Sequence, residues 1–166
     1  MPDPMTLLKA DHREAKKLLN QLADSDEGAE RERMVAELRQ ALTLHMELEE
    51  RMIYDLVERE VGPEDREEAE VEHRLARDGL EKVVELVAMP GFGAAVEMLK
   101  AGIEHHVEEE EKEILPELKS SMDRKEWMAL GDAIAEAKQA AGQPAPSARS
   151  AATRRSGKRT TARAKK

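Results

Sequence analysis

The sequence predicts an all-α protein, an up-down-up-down four-helix bundle with a short extra C-terminal helix. Composition is the first reason, because helix-forming Ala, Leu, Glu, Lys and Arg dominate while aromatic residues make up only 2%. Apolar residues recur at steps of three and four over four long segments, which is the spacing of one helical face. Gly- and Pro-containing turns separate these segments, and short links make consecutive helices antiparallel neighbours.

The predicted helix bounds follow from those breaks. The long helices are expected over Pro4–Ala23, Ala29–Val61, Pro63–Met89 and Phe92–Ser120. Pro116 lacks a backbone N–H and should bend or end the fourth of them. The shorter fifth helix is expected over Asp123–Ala141. A chain of 166 residues suits a single domain, which we place at residues 1–142.

Residues 143–166 form a segment of different chemistry. They contain eight Lys or Arg residues and no acidic residue, although the whole chain has a net charge of −9. The segment has no apolar periodicity, so we predict a disordered basic tail. Two roles stay open, a solubilising appendage and non-specific nucleic-acid contact through phosphate neutralisation.

The absence of cysteine limits the possible chemistry. Disulfides, thiolate catalysis and iron–sulfur clusters are excluded, and any metal must be held by His and carboxylate. No apolar run approaches the roughly 20 residues that cross a bilayer, and the N-terminus lacks the layout of a signal peptide. We therefore expect a cytoplasmic protein without a membrane partner.

Four of the five histidines take part in an internal repeat. An offset of 61 residues relates three pairs of residues, namely His12 and His73, His45 and His106, and Glu49 and Glu110. An acidic residue precedes the first His of each copy (Asp11, Glu72), and another follows each repeated Glu (Glu50, Glu111). The repeat therefore predicts that the domain consists of two copies of one helical hairpin.

The repeat places a set of metal-binding side chains on the inward faces of the helices. His45 and Glu49 are four residues apart, as are His106 and Glu110, so each pair points the same way from its helix. A buried Glu is costly unless it is paired or coordinated. Two carboxylates could bridge two metals that each take two imidazoles, and this donor set suits first-row transition metals.

The predicted metal ligands are therefore His12, His45, Glu49, His73, His106 and Glu110. Glu111 and His105 are weaker candidates, because each lies one residue from a predicted ligand. The alternative is a metal-free interaction bundle, since a lone histidine on an apolar face is more often a satisfied core residue than a ligand.

These motifs resemble those of hemerythrins and the broader HHE cation-binding domains. The similarity covers about residues 4–120, from Asp11-His12 to the Ile114-Leu115-Pro116 segment that follows the last His-x-x-x-Glu motif. It implies a centre of two non-haem iron ions bridged by carboxylate and oxo groups. Members of the family carry oxygen, sense oxygen, redox state or iron, or are associated with peroxide and nitric oxide chemistry.

The sequence departs from the oxygen-carrying members. Arg77 stands where those proteins have a second histidine one turn after the helix-3 histidine, which makes reversible oxygen storage doubtful. The scarcity of aromatics predicts little apolar pocket around bound oxygen. Tyr54 is a candidate hydrogen-bond donor near the site, although we expect it on the surface. A ferritin-like site needs two Glu-x-x-His motifs, and the only match is Glu70-x-x-His73.

The predicted function is binding of, and reaction with, oxygen, hydrogen peroxide or nitric oxide at a di-iron centre, in redox defence or sensing. Whether the protein is a di-iron oxidoreductase stays open at this point, as do its catalytic residues beyond the metal centre and its oligomeric state. The alternative is an iron- or redox-responsive binding module without turnover that associates with nucleic acid through residues 143–166.

Overall fold

The computed structural model describes residues 1–142, and the regular structure within them is helical. Seven α-helices lie in this described part of the chain: α1 (Pro4–Ala23), α2 (Ala29–Met52), α3 (Tyr54–Glu60), α4 (Pro63–Glu85), α5 (Phe92–Glu109), α6 (Leu115–Ser121) and α7 (Arg124–Ala140), with a π-helical turn, Glu110–Ile114, between α5 and α6. The predicted all-α class is confirmed. The predictions for residues 143–166 lie outside the described residues.

The long helices contact one another in a closed ring. Helix α1 packs against α2 and α5, and α4 also packs against α2 and α5. Helix α7 lies against α1 and α2. These contacts are consistent with a four-helix bundle, whose up-down-up-down order stays a prediction. Within residues 1–142, no helix combines the length and apolar character needed to cross a bilayer.

Two of the predicted long helices are interrupted. The second breaks at Ile53, where φ is −115°, before α3 continues. The fourth passes through the π-helical turn, in which the N–H of Leu115 bonds to the carbonyl of Glu110 five residues earlier. Pro116 follows directly and has no N–H to donate, so the wide turn accommodates its ring inside a nearly continuous helical path.

The predicted third helix also ends early, at Glu85 rather than Met89. Met89 precedes Pro90, and a residue before proline is disfavoured in the α region. Leu86 caps the helix instead, and its N–H bonds to the carbonyl of Lys82.

Two apolar clusters make up the core. The larger includes Leu19, Leu38 and Val96, and the smaller includes Leu8, Ile53 and Leu115. Along α1, His12 lies between Leu8 of the smaller cluster and Ala15 of the larger. The buried ionisable residues of the other long helices likewise lie near the boundary between the clusters.

Helix α7 is fixed at both ends of its inward face. Asp123 caps its N-terminus by accepting hydrogen bonds from two backbone N–H groups, and the Trp127 indole donates to Asp3 over 3.1 Å. Gly131 meets the backbone of Pro2 so closely that any Cβ there would clash. The opposite end of this face carries Lys138, which is buried.

Candidate metal centre

The six predicted ligands come together at the boundary of the two clusters. All of them are buried, and Glu49 is fully shielded from solvent. Their donor atoms form two groups, each with its atoms within 4.8 Å of one another. We call the group formed by His12, His45, Glu49 and Glu110 the α1/α2 half-site. The group formed by Glu49, His73 and His106 is the α4/α5 half-site.

Glu49 belongs to both half-sites. Its Oε1 atom lies 3.1 Å from Nε2 of His45, and its Oε2 atom lies 3.2 Å from Nε2 of His73. The two oxygens of one carboxylate therefore face different pairs of histidines. Glu110 is less central, because its Oε2 atom lies 3.0 Å from Nε2 of His12 but 3.7 Å from Nε2 of His106.

The donor atoms at this junction fit a metal ion. Within residues 1–142, both oxygens of Glu49, Oε2 of Glu110 and Nε2 of His12 and of His45 are buried and make no well-aligned hydrogen bond, although the shortest N–O distance among them is 3.0 Å. Buried polar atoms are rarely left in this state in proteins. Imidazole nitrogens and carboxylate oxygens that converge without partners form a donor set for first-row transition metals.

Every histidine of the centre has a carboxylate at its Nδ1 atom. The pairs are His12 with Glu111 at 2.8 Å, His45 with Asp11 at 3.5 Å, His73 with Glu50 at 3.0 Å, and His106 with Glu72 at 2.6 Å. Carboxylates of this kind orient metal-bound imidazoles and leave Nε2 free for the metal. The 61-residue offset relates Asp11 to Glu72 and Glu50 to Glu111, so the repeat extends to this outer layer.

The sequence places these acidic residues in the repeat, but their position behind the imidazoles follows only from the structure. The structure also separates Glu110 from Glu111. Glu110 is buried at the centre, whereas Glu111 lies half-buried behind His12. His105 has a side chain that is 61% exposed and lies 3.4 Å from Glu72 on the outside of the bundle.

The carboxylates and imidazoles shift each other's protonation. Burial raises the pKa of Glu49, but the surrounding imidazoles outweigh it and hold that pKa well below 4.5. Burial lowers the pKa of His12 and of His106, but their neighbouring carboxylates outweigh it, and the pKa of His106 lies well above 6.5. Without a metal, the centre therefore retains protons that a cation would displace.

Two cations lie behind the outer carboxylates. Arg77 makes a two-point ion pair with Glu50, with N–O distances of 2.7 and 2.9 Å. Lys138 of α7 pairs with Asp11, and its residue is only 3% exposed. No spacing in the sequence pointed to Lys138, because its helix lies outside the repeat.

Tyr54 is part of the site. It is only 3% exposed, so the expectation of a surface position was wrong. Its hydroxyl lies 2.8 Å from Nδ1 and 2.9 Å from Nε2 of His73. Burial and the nearby carboxylates, that of Glu49 first, raise the pKa of this phenol, which keeps its proton at neutral pH.

A cavity of about 430 Å³ adjoins the four histidines. The larger part of its lining surface is apolar and includes Ala15, Leu42, Ala76 and Ile103, while charged side chains such as Lys138 line the remainder beside the histidines. The expectation that few aromatics would leave little apolar pocket was therefore wrong. Small aliphatic residues leave the space that bulky rings would have enclosed.

Residues 3–118 match the family described as Hemerythrin HHE cation binding domain. The match covers more than half of the chain and includes all six predicted ligands, while α7 lies beyond it. No curated protein and no solved structure matches the chain. The family is one of cation-binding domains, and the two His/Glu groups could hold metal ions.

Proposed function

The chain belongs to the hemerythrin HHE cation-binding family, and we propose that it is a non-haem di-iron protein that binds and reacts with oxygen, hydrogen peroxide or nitric oxide. The observation that carries this proposal is the position of Glu49. It is a fully buried carboxylate whose two oxygens face two different pairs of histidines. One carboxylate placed in this way suits a bridge between two metal ions.

Each half-site would hold one iron. His12 and His45 would serve the first ion, His73 and His106 the second, and Glu49 and Glu110 would lie between them. Bound iron would supply electron exchange with the small ligand. The protein's own residues orient the imidazoles through the outer carboxylates, line part of the adjoining cavity with aliphatic side chains, and hold a proton on the Tyr54 hydroxyl beside His73.

The alternative is an iron- or redox-responsive binding module without turnover. The observation that favours it is the ion pair between Lys138 and Asp11, because Asp11 faces His45 and Lys138 belongs to the helix that leads into residues 143–166. A change at the metal centre would then alter the docking of α7. Nucleic acid bound through residues 143–166 would respond to metal loading.

The first experiment is metal analysis of protein from iron-replete cells, together with its visible spectrum before and after peroxide is added. We expect about two irons per chain and charge-transfer bands that change with peroxide. Two irons with an unchanged spectrum would favour the binding module. Metal content far below stoichiometric would contradict both.

Substitution of single histidines tests the ligand assignment. His73→Ala and His106→Ala should each sharply lower iron content. Glu104→Ala is the control, because this side chain lies close to His106 along α5 but is exposed. Full iron retention in the His73 and His106 variants would contradict the assignment.

A further inference from the structure

The cavity beside the histidines is much larger than a diatomic ligand or peroxide requires. It measures about 430 Å³, whereas one water molecule occupies about 30 Å³ in the liquid. An apolar protein cavity of about 150 Å³ is enough to bind benzene. Sites for organic ligands are typically about 300–1,000 Å³ and mostly apolar, so this cavity falls in their range even with metal ions along one wall.

The cavity is part of the repeat rather than a local packing defect. Besides the histidines and their acidic neighbours, four pairs of its lining residues are related by the 61-residue offset, namely Ala15 and Ala76, Ala41 and Gly102, Leu42 and Ile103, and Met46 and Val107. Ala15 and Ala76 lie three residues after the first histidine of each copy, so both copies have a small side chain on the turn next to the centre. A larger residue in either place would occupy the space.

The charged side chains on this part of the cavity are paired within the protein. Glu14 and Glu37 line it and are exposed, which marks a side on which it reaches solvent. Glu14 lies 3.7 Å from Lys17, Glu37 accepts a hydrogen bond from Arg33 over 2.9 Å, and Lys138 is paired with Asp11. These side chains offer a charged ligand no free counter-charge, whereas an uncharged apolar ligand would lose little on leaving water for the aliphatic part of the walls.

We propose that this cavity binds an uncharged, apolar organic molecule of one or two rings next to the metal centre. This would give the protein an organic ligand in addition to the small oxidant or nitric oxide. The proposal rests on the proposed function only for the identity of the neighbouring metal. Binding itself depends on the shape and aliphatic lining of the cavity.

The test is calorimetric titration of the full-length, metal-loaded protein with indole, an uncharged probe that has no carboxylate to bind the metal. We expect indole to bind with a Kd of about 1 mM or tighter. Ala76→Leu should weaken indole binding at least about tenfold while metal content stays unchanged. Ala94→Leu, on the exposed surface of α5, is the matched control and should bind indole like the unmodified protein.

Ala15→Leu fills the same space from the other copy, so it replaces Ala76→Leu if that variant does not fold. Indole binding that neither filling variant weakens would overturn the proposal, as would no indole binding at millimolar concentration. The titration is repeated with zinc-loaded protein. Indole binding there, in a protein that holds no iron when isolated, would support the cavity proposal while the di-iron proposal fails.

Discussion

The two half-sites share their inner residues but differ in what surrounds them. The outer carboxylate Asp11 of the α1/α2 half-site is paired with the buried Lys138 of α7. Its repeat counterpart, Glu72, faces the exposed His105 instead. Tyr54 contacts the α4/α5 half-site through His73, and the residue 61 positions later is Leu115, which belongs to the apolar core.

The comparison distinguishes the residues that the repeat places in both half-sites from the surrounding residues that differ between them. The repeated hairpin sets the imidazoles, the inner carboxylates and the outer carboxylates. Residues outside the repeat pattern then give each half-site its own charge and proton donors, and outer partners of this kind tune the affinity of a metal site. We therefore expect the two half-sites to bind metal with different affinities, and the following predictions test that expectation.

The largest effect should come from Glu49→Gln. Because the Glu49 oxygens face both half-sites, this variant should lose both metal ions. Glu110→Gln should chiefly affect the α1/α2 half-site, since Glu110 lies nearer to His12 than to His106. The metal content per chain is measured for both variants. Equal metal loss in the two would contradict the inference that Glu49 serves both half-sites and Glu110 chiefly one.

The second effect compares the two supporting cations. Lys138→Met leaves Asp11 without its partner in a mostly buried place, which should lower the free energy of unfolding by about 3 kcal/mol. Arg77→Met removes the partner of Glu50, but both side chains are about one-third exposed, so the loss should stay below about 1 kcal/mol. Urea denaturation of the two variants checks the order. A larger loss for Arg77→Met would contradict the asymmetry.

The third effect concerns the outer carboxylates. Glu72→Gln removes the charge 2.6 Å from Nδ1 of His106 and should weaken metal binding at the α4/α5 half-site by about 10–100-fold. Asp11→Asn should weaken it less at the other half-site, because Asp11 lies 3.5 Å from His45. Competition with a chelator measures both affinities. A larger loss of metal affinity for Asp11→Asn than for Glu72→Gln would contradict this order, and would mean that the pairing with Lys138 matters more than the distance from Asp11 to His45.

A smaller effect is expected from Tyr54→Phe. The variant loses one buried hydroxyl contact to His73, which should cost about 1 kcal/mol of stability. Changes in the spectrum of the metal-loaded protein should be confined to the α4/α5 half-site. The measurement is thermal unfolding, combined with the spectrum of protein carrying one metal ion per chain. An unchanged Tm and spectrum would leave Tyr54 with a packing role only.

The smallest effect should appear in the pH dependence. Folding raises the pKa of His12 and of His106 above 6.5, so the metal-free protein gains stability from them below about pH 6.5 and loses it as pH rises through the folded pKa. Metal occupancy should change in the opposite direction, because metal binds deprotonated imidazole.

Unfolding in urea between pH 6 and 9, with and without metal, tests both trends. Stability of the metal-free protein that increases over this range would contradict the first.

Periodicity was enough to predict most of the centre. The six inner residues recur at helical spacing, and the 61-residue offset predicted that they would meet. Their coordination of metal stays a prediction. Periodicity could not choose between Glu110 and Glu111, because adjacent residues on a helix differ only by one step of rotation. In the structure a π-helical turn begins at Glu110. Glu110 lies inside the centre, and Glu111 lies behind His12.

The sequence by itself determined the all-helical class, the family and the identity of the six buried His and Glu residues. Each of these depends on patterns that are local or repeated along the chain. Only the tertiary structure decided the rest. Lys138 meets Asp11 across 127 positions, Tyr54 turns inward to His73, and the small residues of both copies combine into one cavity. The physical reason is that such contacts depend on how separate helices dock, and docking depends on the shape and volume of side chains that have no regular spacing.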